Sequence, residues 1–241
     1  MANKPELKPK IALGIAAHPD DLDYGMSGTV AKWAAEGTDV YYLILTNGNK
    51  GSADRSISPA ALTATRRAEQ QAAAKVLGVK DVLFCDYDDG MLEVTMDVKR
   101  DIARIIRTVR PEVVMTMDPS VLYSADQGFI NHPDHRAAGQ ATLDAVFPLA
   151  RDYMSFPELL RDEGLEPHNV STLLLLNFNL HNYVVNISDT IEQKMTALAA
   201  HTSQMPDLPA TQARMRQRAA LAGTAAGAEY AEEFLRIDIA G

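Results

Sequence analysis

The sequence predicts an α/β fold: a Rossmann-like three-layer sandwich with a mainly parallel sheet, helices on both faces and a helical C-terminal segment. Three observations predict it. Up to about residue 150, short apolar runs alternate with longer stretches whose apolar residues recur at helical spacing, the pattern of successive β–α units. The strand-like runs are continuously apolar instead of alternating with polar residues, as in strands covered on both faces. Hydrophobic residues make up 46% of the 241, enough to supply a core for both helical layers.

The elements follow in order. Residues 10–17, around Ile11-Ala-Leu-Gly-Ile15, form the first strand. Residues 24–36 form a helix, with Met26, Val30 and Trp33 at helical spacing and Gly37 as its stop. A β-branched and aromatic strand covers 40–45 and enters the glycine-rich loop 46–51. A long helix covers 59–77 and ends at Gly78. A third strand at 82–85 leads into the acidic loop 86–90. Residues 96–109 form an amphipathic helix closed by Pro111, followed by a strand at 112–117. A long loop at 118–131 precedes a helix at 132–149, and loops of that length are usually functional or mobile. Residues 151–169 are irregular with a short helix near Glu158, and strands follow at 172–178 and 183–187. Residues from about 188 to 241 read as helices, a cap or an oligomer contact. No repeat or linker divides the chain, so 1–241 reads as one domain.

Bulk composition excludes several functions. The net charge is −9, from 23 basic and 32 acidic side chains, which disfavours nucleic acid and anionic membrane as partners. No stretch has the roughly 18 apolar residues of a membrane span. The single cysteine, Cys85, permits neither an internal disulfide nor a cysteine-based metal site. With a polar N-terminus lacking a signal-peptide core, the expectation is a cytoplasmic protein acting on a small molecule.

Chemistry concentrates in two short clusters. Ala16-Ala17-His18-Pro19-Asp20-Asp21 follows the first strand, where an open α/β sheet places its ligands. Asn131-His-Pro-Asp-His135 opens a helix after the fourth strand, on the same sheet edge, with His132 and His135 on one face. His18, Asp21 and His135 supply two imidazoles and a carboxylate, the three protein ligands of a catalytic zinc site that keeps one position open. Fe(II), Co(II) or Ni(II) would accept the same donors. Asp20, beside the metal but not on it, suits a general base. His132, near Asp134, suits a protonated group aimed at an oxyanion or a leaving amine. These are the parts needed for water attack on an amide.

The sequence resembles the LmbE-like, or PIG-L, family of zinc-dependent N-deacetylases. The likeness runs in order through Ala17-His-Pro-Asp-Asp21, Leu45-Thr-Asn-Gly48, Arg66-Arg-Ala-Glu69, Asp89-Gly90, Arg110-Pro111, His132-Pro-Asp-His135, and Lys194 through His201-Thr-Ser-Gln204. It implies His18, Asp21 and His135 as metal ligands, Asp20 as base, and His132 as stabiliser of the tetrahedral intermediate with Asp134 tuning it. It implies Arg66 and Asp89 as binders of sugar hydroxyls, with Thr46, Asn47 and Gly48 lining the pocket. Arg66 reads equally as a solvated charge or as a partner for Asp89, and Asn47 as a simple turn. Two departures stand out: Asp23 replaces a glutamate common in relatives, and Phe129-Ile130-Asn131 stands where some relatives carry a tyrosine, for which Tyr123 is a candidate substitute. His201 either reaches the site or caps its helix.

Rival readings are weaker. A dinucleotide-binding protein would need G-x-G-x-x-G after the first strand, and Gly25 and Gly28 come too late. A phosphoesterase would usually hold two metals, for which extra ligands are lacking. A non-catalytic carbohydrate-binding relative would have no use for Asp20. The expected substrate is a small N-acylated amino sugar or conjugate, and residues 150–180 are a candidate homo-oligomer contact.

Overall fold

The computed structural model describes residues 4–125, 128–177 and 179–240. Its main sheet has seven strands: β1 (Ile11–Ala16), β2 (Asp39–Thr46), β3 (Asp81–Tyr87), β4 (Val113–Met117), β7 (Thr172–Leu176), β8 (Tyr183–Asn186) and β9 (Ala231–Asp238). The order is β3-β2-β1-β4-β7-β9-β8. The first five pair in parallel, and β9 runs antiparallel to both neighbours. Helices α1 (Asp21–Ala35), α2 (Pro59–Leu77), α6 (Ile191–Ala200) and α7 (Leu208–Ala226) serve one face. There Trp33, Met26, Leu77 and Leu198 pack on Tyr42 and Met115. On the other face, α3 (Met96–Val109) and α4 (Pro133–Asp144) bring Ile102, Ile106, Ala138 and Ala141 against Leu13, Leu43 and Val114. Both faces of β1 are thus covered, which is why its run carries no polar residue.

Four elements differ from the sequence reading. The first helix begins at Asp21 instead of residue 24, because Asp20 O already accepts from Asp23 N and Tyr24 N at 2.9 and 3.0 Å. Acidic residues are also favoured in a first helical turn. The helix expected to reach residue 149 stops at Asp144. A wider turn, Ala145–Leu149, follows, since Pro148 has no N–H and the preceding Phe147 is extended. The 118–131 loop contains a small antiparallel pair, β5 (Tyr123–Ser124) with β6 (Phe129–Ile130), while residues 126–127 lie outside the described residues. So does the last residue of the strand expected at 172–178.

The largest correction concerns the C-terminal segment, which is not wholly helical. After α5 (Pro157–Arg161), α6 and α7, Gly227 adopts φ 69° and ends the helix. The chain then returns as β9 and inserts between β7 and β8. Ala231-Glu-Glu-Phe234 has helical propensity, but tertiary bonds override it. Glu232 accepts from Gly28 N and Thr29 N of α1 at 3.0 and 2.7 Å and pairs with buried Lys194 at 2.7 Å. Among the described residues no helix is long and apolar enough to cross a membrane.

The strand order fixes where chemistry can occur. From β1 the chain proceeds outward to β2 and β3, then crosses back to β4 on the other side of β1. The crevice between the carboxyl ends of β1 and β4 is therefore the switch point at which such sheets bind ligands. Both histidine-rich turns open onto it. Gly139 lets α4 approach there: a Cβ on it would lie 2.4 Å from Met117 O.

Candidate active site

The turn after β1 carries the first half of the site. Asp20 precedes α1 with φ 96° and ψ −31°, an unusual conformation for a residue with a side chain, costing on the order of 1–3 kcal/mol. Such strain persists only where surrounding bonds impose it. The turn folds His18 and Asp21 together, and Asp21 Oδ2 accepts from His18 N at 2.9 Å. The first turn of α4 delivers His135. His135 Nε2 lies 3.0 Å from Asp21 Oδ1 and 3.2 Å from His18 Nδ1, and His18 Nδ1 lies 3.5 Å from Asp21 Oδ2.

These separations fit a metal ion. Tetrahedral bonds of about 2.0–2.1 Å set ligands roughly 3.3–3.4 Å apart. Two imidazoles and a carboxylate are also the donor chemistry of an open zinc-type site. The far sides of the imidazoles are held as well. His18 Nε2 faces Asp89 Oδ1 and Asp134 Oδ2, each at 3.2 Å, and His135 Nδ1 faces Asn131 Oδ1 at 3.2 Å. Carboxylates and carbonyls behind histidine ligands fix the ring and raise its basicity. The grouping of His18 with Asp89 and Asp134 therefore reads as this outer support. His132 completes a trio of imidazoles with nitrogens within 4.8 Å of one another, but it is the most exposed of the three and its Nδ1 accepts from Asp134 N at 3.2 Å.

Charge is unevenly distributed. Burial alone pushes the His18 imidazole down, but contacts with Asp134, Asp21 and Asp89 outweigh it and raise the ring to about 12. Burial, reinforced by the neighbouring Asp21 charge, pushes the Asp20 carboxyl well above the usual carboxylate range. Burial also acts upward on Asp21, yet His135 and His18 hold it far below that range. Two carboxyls adjacent in sequence thus have opposite tendencies, the separation that distinguishes a proton carrier from a permanently charged ligand.

Residues 13–146 match the PIG-L family, described as GlcNAc-PI de-N-acetylase. The chain belongs to the PIG-L family. It is 36% identical over 208 residues to the diacetylchitobiose deacetylase of Thermococcus kodakarensis, covering 85% of this chain and 74% of that protein. It is 28% identical to a probable N-acetyl-α-D-glucosaminyl L-malate deacetylase of Bacillus anthracis, over 78% of each. The solved N,N'-diacetylchitobiose deacetylase of Pyrococcus horikoshii superposes with a TM-score of 0.86 at 34% identity, covering 95% of this chain and 84% of the other. These likenesses make the PIG-L chain an amide hydrolase by family.

In this PIG-L chain a pocket of about 730 Å³ opens over the cluster, within the roughly 300–1,000 Å³ of small-ligand sites. His18, Asp20, Asp21, His132 and His135 all border it, as do Arg66 and Asp89. Asp134 does not; it lies buried behind His18. Four expectations need correction. Thr46, Asn47 and Gly48 do not line the pocket; Lys50 and Gly51 of the same loop do. Thr46 is fully buried, Asn47 Oδ1 accepts from Asn49 N in a local turn, and Gly48 O accepts from Arg66 Nη1 at 3.0 Å. Asp134 does not hydrogen-bond His132 through its carboxylate, which instead contacts His18 and accepts from Gly90 N at 2.7 Å. Nor is His132 biased towards protonation, because burial and the His18 charge hold it below its ordinary value. Tyr123 is exposed and borders a different hollow, while Phe129 reaches the pocket.

Arg66 is buried and sits 3.6 Å from Asp89 Oδ2, so the pairing reading applies alongside the wall position. Asp89 spends its oxygens on His18 Nε2 and on Lys50 N at 3.1 Å. Of the two readings of His201, only the helix-end one holds, since it does not line the pocket. It ends α6, and its Nε2 lies 2.7 Å from Asp23 Oδ2, with both side chains 0% exposed. Sequence reasoning missed Asn131 and Glu232 as supports. Asn131 precedes the second motif and was readable as its neighbour, whereas Glu232 acts from 204 positions beyond Gly28 and left no local signal.

Proposed function

We propose that this PIG-L protein is a zinc-dependent hydrolase that removes the N-acetyl group from a small amino sugar or amino-sugar conjugate. The observation that carries the proposal is the convergence of His18, Asp21 and His135 at zinc-ligand spacing beside a free-standing Asp20, inside one sugar-sized pocket. Relatives named as diacetylchitobiose and N-acetylglucosaminyl-malate deacetylases support the substrate class. The two-nitrogen, one-oxygen donor set supports zinc. The one-domain reading belongs to the same proposal, since β9 threads back into the sheet begun by β1.

His18, Asp21 and His135 would hold the ion. When bound, it supplies Lewis acidity, polarising the amide carbonyl and bringing the ionisation of water towards neutral pH. The rest is done by side chains. Asp20, with its raised pKa, takes the proton of the attacking water and returns it to the departing nitrogen. His132 accepts from Asp134 N at Nδ1, which places its own proton on Nε2. A neutral His132 is therefore a hydrogen-bond donor for the oxygen on which negative charge develops. Arg66 and Asp89 border the space for the sugar.

The test is acetate release from N-acetylglucosamine and N,N'-diacetylchitobiose, with zinc content measured on the same samples. Asp20→Asn should keep its zinc and lose about 10²–10⁴-fold in turnover, the usual range for a general base. No acetate release from either sugar by zinc-loaded protein, or full turnover in Asp20→Asn, would overturn the proposal.

A further inference from the structure

The peptide unit joining Pro19 to Asp20 is gripped at both polar ends by glutamine side chains. Pro19 O accepts from Gln204 Nε2 at 3.2 Å, and Asp20 N donates to Gln70 Oε1 at 2.8 Å. Gln70 is fully buried on α2, whereas Gln204 sits on the pocket wall in the turn after α6. The other end of the Gln70 amide donates from Nε2 to Asp23 Oδ2 at 2.8 Å. Only one orientation of that amide works, because turning it over would oppose N–H to N–H and oxygen to carboxylate. Gln204 is fixed in turn, its N donating to His201 O at 3.0 Å. Both clamps therefore rest on the buried Asp23–His201 pair.

The gripped residue is the one with φ 96°. Rotating the peptide plane to relax that angle would swing the Asp20 side chain away from its present direction. We propose that Gln70 and Gln204 are positioning residues for Asp20: together they set the plane of the Pro19–Asp20 peptide and so aim the Asp20 carboxyl at the reacting water. The proposal rests on the reading of Asp20 as general base. It also gives a role to Gln204, which ends a segment shared with the family but has no evident chemistry of its own, and to Gln70, which no motif marks.

The test uses Gln70→Met and Gln204→Met, which keep length and lose the amide, with N,N'-diacetylchitobiose as substrate. Each should lower kcat roughly ten- to a hundredfold, as small misplacements of a catalytic group do. Bound zinc should change by less than about twofold in both variants, because the ligands are untouched, and KM by as little in Gln70→Met, whose side chain is buried away from the pocket. In an Asp20→Asn background the same substitutions should cost less than about threefold, since there is no carboxylate left to aim. Equal losses in both backgrounds, or zinc loss in parallel with activity, would overturn the proposal. So would wild-type kcat in the glutamine variants while Asp20→Asn is inactive, and that outcome leaves the base assignment standing. Wild-type turnover in Asp20→Asn overturns the base assignment and the positioning proposal together. If Gln70→Met does not fold, Gln204→Met at the pocket edge decides.

Discussion

Zinc and a proton should compete for His18. The ring is raised to about 12 by its contacts with Asp134, Asp21 and Asp89, against the pull of burial. Below that value it is protonated, so an incoming cation must displace one proton from Nδ1. At pH 7 that displacement costs on the order of 7 kcal/mol, at about 1.4 kcal/mol per unit. The sign is clear: raising the pH favours the metal and lowering it favours the proton. Between pH 8 and pH 6 the apparent zinc affinity should fall about tenfold per unit, hence roughly a hundredfold in all. In the metal-stripped chain the linkage runs the other way. The protonated ring stabilises the fold fully below its ordinary value near 6.5, and that contribution is lost as pH rises towards 12. Competition with a chelator of known affinity across this range measures the first effect. Titration of the His18 ring by NMR in metal-stripped protein measures its cause. A neutral His18 ring at pH 7, or a zinc affinity flat between pH 6 and 8, would refute the reasoning.

Three further outcomes are expected. His201→Ala removes the imidazole that hydrogen-bonds the buried Asp23 carboxylate and should destabilise the fold by about 1–3 kcal/mol in urea denaturation; an unchanged denaturation midpoint would mean that water takes the place of the imidazole. Gly139→Ala places a methyl 2.4 Å from Met117 O, which side-chain rotation cannot relieve, and should cost about 1–3 kcal/mol with α4 displaced from β4; wild-type thermal stability would contradict it. Tyr123→Ala removes an exposed ring that borders another hollow, so acetate release should stay within about twofold, and a loss of ten times that size would return Tyr123 to the site.

How much was legible depended on how far apart in sequence the cooperating residues lie. His18 and Asp21 share one turn, and His132 and His135 share another, so short-range spacing displayed them. That both turns open on one crevice followed from strand–helix alternation alone. Arg66 and Asp89 were reachable only through family likeness, and both do border the pocket. The true partner of Asp134 was not legible: its neighbour His132 is two residues away, yet its carboxylate crosses the crevice to His18, 116 positions distant. Position 23 was noticed as a departure, but not its burial against His201, Gln70 and Tyr42. β9 was missed because Ala231, Glu232 and Glu233 favour helices when considered locally. Its strand state depends on β7, β8 and α1. The alternation of Phe234, Arg236 and Asp238 with Leu235 and Ile237, following Gly227, was the available clue.

The insertion of β9 between β7 and β8 has a consequence for biosynthesis. Among the described residues β8 pairs with β9 alone, so residues 183–186 lack a strand partner in the nascent chain until residues 231–234 emerge. At about 5–20 residues per second that interval lasts a few seconds, during which an unsatisfied sheet edge is exposed to other chains. The same late strand carries Glu232 to the buried Lys194 and to the amides of α1. Until residue 232 has been synthesised, the helix bearing Asp21 therefore lacks the carboxylate that accepts from Gly28 N and Thr29 N.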